Sequence, residues 1–198
     1  MDKKEKTLKE LTLKDNFMFG AVMTEEENCR RFLEAVLEIS ISRVRIIKEK
    51  SMGYHPEYKG VRLDIYVEDE KKTRYNVEMQ VEKPAALEKR SRYYHSQMDM
   101  EMLAAGKAYT ELADSIVIFI CDFDPFGRKK YRYIFHNYCK ESGYIRLKDG
   151  RTTIFLSTCG EDEQNIPRSL FKFLKYVGSD LHESQKDFED DLVKQLQY

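Results

Sequence analysis

Residues 60–80, GVRLDIYVEDEKKTRYNVEMQ, decide the fold because apolar and polar residues alternate on both sides of a charged turn. Apolar or aromatic side chains stand at odd positions over 61–67 and again over 75–81, which is the period of a half-buried strand. The charged run 69–73 is typical of a short connection between paired strands. The sequence therefore predicts an antiparallel β-hairpin with one apolar face and one polar face.

The register of this hairpin follows from its turn length. A five-residue turn pairs Glu68 with Arg74. Steps of two then place Asp64 opposite Glu78, with Cβ atoms roughly 5 Å apart, and Gln80 on the same face. Opposed carboxylates repel unless a positive charge lies between them, which favours an oxygen-liganded cation such as Mg²⁺ or Mn²⁺. The alternative is a solvated polar face whose carboxylates pair with nearby arginines.

Helices and further strands flank the hairpin. A Thr24–Glu27 capping box followed by apolar residues at helical spacing indicates the first of these helices. The predicted helices are 25–39, 86–107, 167–177 and 187–197. The other predicted strands are 44–47, 116–121, 131–139 and a second hairpin that joins 144–147 to 153–157. The order α, β, β, β, α, β predicts an α/β (α+β) fold, with a mixed central sheet flanked by helices and extra C-terminal strands and helices.

Composition limits the classes of function. The 198 residues are 41% hydrophobic and 35% charged, with a net charge of −1, as in a globular protein of one main domain. DNA binding must therefore depend on local basic patches. No apolar run spans a bilayer and no secretory h-region is present, which favours a cytoplasmic protein without a membrane partner. Walker A, G-x-G-x-x-G, H-E-x-x-H and G-x-S-x-G motifs are missing, so no nucleotide cofactor is expected. The four widely spaced cysteines are interpreted as buried reduced thiols.

Four blocks in the same order resemble the PD-(D/E)XK nuclease superfamily and, within it, the recombination-promoting nuclease (Rpn) family, also described as transposases. These blocks are KDNFMFGAVM (14–23), GVRLDIYVEDEKKTRYNVEMQ (60–80), RSRYYHSQM (90–98) and ADSIVIFICDFDPF (113–126). The resemblance covers about residues 11 to 160. It implies a restriction-endonuclease-like αβββαβ core within a nuclease-like domain at 1–178, and leaves 179–198 as a C-terminal helical extension. It also implies a Mg²⁺-dependent DNA endonuclease.

The resemblance also assigns roles to residues. Asp64 and Glu78 match the metal-binding carboxylates, and Gln80 occupies the catalytic position at which the superfamily motif has lysine. An amide carries no positive charge to orient or activate the attacking water, so Gln80 leaves this role open. Glu34 matches a further metal-site carboxylate of some members. Its alternative is a solvent-facing glutamate on the first helix.

Substrate contacts are expected just after the hairpin. Lys83 is one candidate for the missing cation, and the following helix offers others. Arg90, Tyr94 and Gln97 have i, i+4, i+7 spacing and share a face, with Arg90 as the expected phosphate contact. The alternative is that Arg90 and Tyr94 pack at the boundary between helix and sheet. The basic and aromatic run 128–133 indicates either a DNA contact or a soluble edge strand.

Three hypotheses of function remain open at this point. The first is a metal-dependent DNA endonuclease associated with recombination or mobile elements. The second is a catalytically weak or inactive nuclease-like domain that acts as a DNA-binding or regulatory module. The third is a pure interaction domain. The apolar stripe at 188, 192 and 196 ends unfinished, which indicates a truncated chain or a tail that forms a homodimer.

Overall fold

A computed structural model describes residues 12–48, 51–52 and 59–179. The helices are α1 (Asn16–Met23), α2 (Glu26–Leu37), α3 (Leu87–Met102) and α4 (Arg168–Gly178). The strands are β1 (Val44–Lys48), β2 (Ser51–Met52), β3 (Val61–Arg62), β4 (Ile65–Asp69), β5 (Arg74–Gln80), β6 (Ser115–Cys121), β7 (Arg132–Phe135) and β8 (Arg151–Ser157). Within the described ranges, no helix has both the length and the apolar character that crossing a membrane requires.

A six-stranded mixed sheet forms the centre of the molecule, in the order β1-β4-β5-β6-β8-β7. The strands β1, β4 and β5 are antiparallel, β5, β6 and β8 run parallel, and β7 returns antiparallel at the edge. The short pair β2 and β3 forms a separate antiparallel ribbon. The core α2-β1-β4-β5-α3-β6 confirms the predicted αβββαβ order and the mixed sheet flanked by helices.

Both faces of this sheet are covered. One face packs against α1, α2 and α4 in a large apolar cluster, in which the rings of Phe32 and Phe173 lie 5.0 Å apart. The other face carries α3, whose Met98 packs with strand residues such as Phe119. The hairpin's polar face lies beneath α3, and Glu78 is fully buried there. The prediction of a half-buried hairpin is therefore wrong, because a helix replaces solvent on the polar side.

The hairpin register is as predicted, but its first strand is interrupted. Glu68 pairs with Arg74, and the pairing of β4 with β5 continues to Ile65. Leu63 and Asp64 form a bend between β3 and β4. Leu63 packs on the α3 side of the sheet, whereas Ile65 packs on the opposite side. The predicted unbroken alternation from 61 to 67 therefore fails at the bend, where odd positions change face.

The helix termini differ from the predicted ones. Thr24 forms no capping box. It ends α1 and donates its hydroxyl to the Ala21 carbonyl, while Glu27 binds arginines of α2 instead. Helix α3 stops at Met102, earlier than the predicted 107. It begins after Ala86, a left-handed residue with φ of 59°, whose carbonyl accepts the first amide bonds of the helix.

The C-terminal strands pair differently from the prediction. Strand β8 pairs with β7 and β6, so no second hairpin joins 144–147 to 153–157. The segment between β7 and β8 makes one isolated bridge, from Tyr138 to Arg146. Helix α4 agrees closely with the predicted 167–177, and the predicted helix 187–197 lies outside the described residues.

The cysteines only partly match the prediction of buried reduced thiols. All four are free, with Cys29 and Cys121 buried, Cys139 partly exposed and Cys159 exposed.

Candidate active site

The centre of the site is the Glu78 carboxylate, which β5 holds against α3. Its Oε1 accepts hydrogen bonds from the Asp64 backbone N–H at 3.2 Å and from Asn76 Nδ2 at 3.1 Å. Its Oε2 accepts from Arg90 Nη2 at 2.9 Å and from the Tyr94 hydroxyl at 3.2 Å. Strand alternation places Asn76 and Glu78 on one face, and the bend brings the Asp64 amide over it. The carboxylate is thus held on both oxygens.

Arg90 links the helix to the strand. One helical turn separates Arg90 from Tyr94, so the two side chains lie side by side over the sheet. The Arg90 guanidinium donates to the Tyr94 hydroxyl at 2.5 Å and lies 5.0 Å from the centre of its ring. Its Nη1 also donates to Gln80 Oε1 at 3.3 Å. The structure therefore places a positive charge beside Gln80, where the sequence itself offers only an amide.

The electrostatic environment of Glu78 is unusual for a carboxylate. Burial, reinforced by repulsion from the Asp64 carboxylate, raises the pKa of Glu78 to about 7, against the opposing effect of Arg90. Burial also raises the pKa of the Tyr94 hydroxyl well above its usual range. For Glu78 itself, burial and the nearby Asp64 carboxylate thus outweigh the effect of Arg90. Perturbed acids of this kind concentrate at functional sites.

Asp64 opens the site to a cleft. The bend at Asp64 lines a cavity of about 700 Å³, whose opposite wall is the helix α1. Phe17 of α1 lines the same cavity and is 66% exposed. A cavity of this volume lies within the range of ligand-binding clefts. Asp64 therefore lines this cavity, while its backbone amide contacts the buried Glu78 carboxylate.

A family model described as PD-(D/E)XK nuclease family transposase matches residues 6–189 of the chain. The chain belongs to this family. Comparison of the chain with curated proteins and with solved structures found no match. Members of the PD-(D/E)XK class generally use divalent metal ions. The mixed sheet with flanking helices agrees with the restriction-endonuclease-like fold of this class.

The acidic residues of this PD-(D/E)XK chain meet only part of what a metal ion requires. Among the described residues, no group of three or more His, Cys, Asp and Glu side chains is placed to hold one. Glu34 does not join Asp64 and Glu78, because its oxygens accept from the Ile41 amide at 2.9 Å and from Arg30 at 2.8 Å. Glu34 therefore closes the turn after α2.

The donors that remain nevertheless fit a hard cation. Asp64, Glu78 and the Gln80 amide oxygen offer oxygen ligands only, which suits Mg²⁺ or Mn²⁺. Mg²⁺ is often held by one or two carboxylates, with water and substrate phosphate completing its shell. Occupation requires Arg90 to move, since its guanidinium donates to both the Glu78 and the Gln80 oxygens that such an ion needs. The set fits once Arg90 gives up these two contacts.

Lys83, one of the predicted substrate contacts, lies elsewhere. Lys83 donates its ammonium to the Pro125 carbonyl at 2.9 Å, which ties the loop after β5 to the loop after β6. Gln97 is buried under α3, three residues beyond Tyr94. Of the residues proposed on one helical face, the structure brings Arg90 and Tyr94 to Glu78.

The sequence interpretation missed Asn76 and the α1 wall. Asn76 is fully buried, and its Oδ1 has no partner within the described residues. The available signal was its position two residues before Glu78, which places both side chains on the same face of the strand. The α1 wall carries no comparable signal, because the approach of Phe17 to Asp64 depends on tertiary packing.

Proposed function

We propose that this protein is a Mg²⁺- or Mn²⁺-dependent DNA endonuclease that hydrolyses phosphodiester bonds in recombination or in mobile elements. The observation that carries the proposal is the buried Glu78, which is held by Arg90, Tyr94 and the amide of Asp64, a residue that lines a cleft. Family membership supports nuclease chemistry, and the oxygen-only donor set supports a hard cation. We propose DNA as the substrate, a divalent metal ion as the cofactor and cleavage within the strand as the mode of action.

Each residue takes a distinct part. Asp64 and Glu78 would hold the ion, and Gln80 would add its amide oxygen or orient water by a hydrogen bond. The ion supplies charge stabilisation at the phosphate and lowers the pKa of bound water. Arg90 exchanges its contact with Glu78 for a non-bridging phosphate oxygen, which guanidinium binds well. Tyr94 keeps the guanidinium over the site during this exchange.

The test is cleavage of supercoiled plasmid with Mg²⁺ or Mn²⁺. Wild type is expected to nick or linearise the plasmid, and Asp64→Ala and Glu78→Ala are expected to abolish cleavage. Glu163→Ala, which removes an exposed carboxylate before α4, is the matched control and retains activity. Equal cleavage by wild type and by both site variants, the signature of a contaminating nuclease, would overturn the proposal.

One observation favours a second function, that of a DNA-binding or regulatory module with weak or no turnover. Arg90 already forms an ion pair with Glu78, and Gln80 stands where the motif has a positively charged lysine. A protein of this kind binds DNA in EDTA, and calorimetry detects no Mn²⁺ binding to wild type. In Arg90→Ala, which frees the Glu78 oxygen, Mn²⁺ binding then appears. Wild-type Mn²⁺ binding accompanied by cleavage decides for the endonuclease.

A further inference from the structure

A second cavity lies on the α3 face of the sheet, over β7 and β8. Its volume is about 420 Å³, which is within the range of small-ligand sites. None of the residues that hold Glu78 lines it. Its lining combines aromatic rings and charged groups, namely Phe126, Phe135, Phe155, Arg92, Arg151 and Glu88.

Three phenylalanines form the apolar wall of this cavity. The ring of Phe126 lies 5.1 Å from that of Phe135 and 5.1 Å from that of Phe155. Phe135 and Phe155 are themselves 5.8 Å apart. Phe155 is almost fully buried, whereas Phe135 is 45% exposed. The wall therefore offers a rigid aromatic surface with one partly open ring, on which a flat heterocycle can stack.

The charged groups favour an anionic ligand. Two arginines, Arg92 and Arg151, line the cavity against a single acid, Glu88. In the part of the chain that the structure describes, neither guanidinium forms an ion pair or a side-chain hydrogen bond. Asp149 lies within electrostatic range of Arg151 but does not line the cavity. An aromatic wall beside two arginines matches a nucleotide, which is both flat and anionic.

The sheet register ties this cavity to the active site. Glu78 pairs with Phe119 on β6, and Phe119 pairs with Phe155 on β8, all on the α3 face. Adjacent strands are about 4.8 Å apart, so Glu78 and Phe155 are separated by about 10 Å. The stacked rings of Tyr94, Phe119 and Phe155 fill the space between them. The cavity is therefore within reach of nucleotides next to a phosphate bound at Glu78.

We propose that this cavity is a subsite for one unpaired nucleotide of the DNA strand, whose base stacks on Phe135 and whose phosphate binds Arg92 and Arg151. The proposal rests on the proposed function, since it takes the scissile phosphate to lie at Glu78. A base within a duplex is stacked on its neighbours and cannot enter such a cavity. The subsite therefore predicts a preference for single-stranded or locally opened DNA.

The test compares the binding of a fluorescein-labelled single strand with that of the blunt duplex of the same sequence, by anisotropy in EDTA. Phe135→Ala is expected to weaken single-strand binding by about tenfold, since one stacked base contributes about 1–3 kcal/mol. Arg92→Ala is expected to weaken it by about the same factor, since it removes a charge-assisted hydrogen bond to the phosphate. Duplex binding is expected to stay unchanged. Ile134→Ala is the matched control, because Ile134 is the neighbouring residue of β7, is 44% exposed and does not line the cavity. It should bind as wild type does.

Three results would overturn the subsite: no loss in either variant, equal losses for single strand and duplex, or the same loss in Ile134→Ala. Thermal melting of each variant confirms that it is folded, and Arg92→Ala changes an exposed residue without disturbing the aromatic wall. Glu78-dependent cleavage with unaltered binding in Phe135→Ala removes the subsite and keeps the proposed function. Selective single-strand binding without any cleavage removes the proposed function and keeps the subsite.

Discussion

Two buried glutamates stand near opposite ends of the same hairpin, and their surroundings differ. Glu68 on β4 contacts three cations, Arg45, Lys72 and Arg74. Glu78 on β5 contacts one cation, Arg90, and has a second carboxylate beside it. Both side chains are inaccessible to solvent or nearly so.

The difference separates a structural ion cluster from a functional one. Around Glu68 the positive charges exceed the negative charge, so the carboxylate is fully compensated and joins three strands of the sheet. Around Glu78 one arginine faces the carboxylate, while burial and the Asp64 carboxylate raise its pKa, and the Asp64 amide that it binds belongs to the bend that lines a cleft. We therefore propose Glu78, and not Glu68, as the ligand of an ion. Four predictions test whether the two glutamates really divide stability and activity in this way.

The largest expected effect is on cleavage in Glu78→Gln. Several kcal/mol of charge stabilisation at the phosphate are lost with the ligand, so the rate should fall by about 10³-fold. The matched variant Glu68→Gln alters the other buried glutamate and should cleave at nearly the wild-type rate. Initial rates on supercoiled plasmid at saturating Mg²⁺ measure both. A comparable loss of rate in folded Glu68→Gln would remove the distinction between the two sites.

Stability should show the reverse pattern. Glu68→Gln leaves the buried guanidinium of Arg74 without its counter-charge, and the free energy of unfolding should fall by about 3 kcal/mol. Glu78→Gln removes a desolvated carboxylate that Asp64 repels. The free energy of unfolding should therefore change by less than about 1 kcal/mol or increase. Urea denaturation at neutral pH gives both values. A larger loss in Glu78→Gln than in Glu68→Gln contradicts the assignment.

A third buried titratable group under α3, His95, sharpens the comparison because it carries no compensating charge. Burial, together with Arg151, lowers the pKa of His95 to about 3, and its ring nitrogens bond the hydroxyls of Ser115 and Thr153. The unfolded chain takes up a proton near pH 6.5 and the folded one does not, so stability is lost as the pH falls below that value. This histidine alone should remove about 2 kcal/mol between pH 7 and pH 5.

The control for His95 is His95→Gln, which removes the titrating ring. Its stability at pH 7 falls with the lost hydrogen bonds, but the difference between pH 7 and pH 5 should shrink by the same about 2 kcal/mol. Urea titrations of both proteins at the two pH values give this difference. An unchanged pH dependence in the variant shows that other groups cause the acid loss.

The smallest effect is expected for Tyr94→Phe. The change removes the hydroxyl that contacts Arg90 and Glu78 and keeps the ring that stacks at 6.1 Å on Phe119. Loss of these hydrogen bonds should raise the activation free energy by about 1 kcal/mol, which lowers kcat by about fivefold with little effect on KM. Steady-state cleavage of a labelled oligonucleotide separates the two constants. A rise in KM with an unchanged kcat assigns Tyr94 to substrate binding instead.

The hairpin register followed from the sequence because turn length and parity are local properties. The pairing of Glu68 with Arg74 is therefore confirmed, but the paired ladder ends at Ile65, and Asp64 reaches Glu78 through its backbone amide. Burial of Glu78 could not be predicted in this way. A polar strand face is expected to be exposed to solvent unless the docking of α3 is known. That docking depends on contacts between distant parts of the chain.

The failures share a cause. The alternation continues unchanged through Leu63, although the backbone bends there, because apolar residues fit either face of a sheet covered on both sides. The predicted second hairpin is wrong because β8 pairs with β6 and β7 instead. The ion pair of Arg90 with Glu78 was not predicted, because it depends on how α3 docks on the sheet. Local sequence pattern determines where helices and strands form, whereas tertiary contacts determine which strands and side chains they pair with.

The left-handed Ala86 at the start of α3 has a consequence for protein engineering. An alanine at φ of 59° carries about 1 kcal/mol of steric strain that a glycine does not. Its carbonyl receives the backbone amides of Lys89 and Arg90, so the strained residue anchors the turn that carries the arginine. Ala86→Gly relieves this strain at an exposed position and leaves every side chain around Glu78 in place. Ala86→Gly is therefore expected to raise the thermal stability of the protein without altering the chemistry of the site.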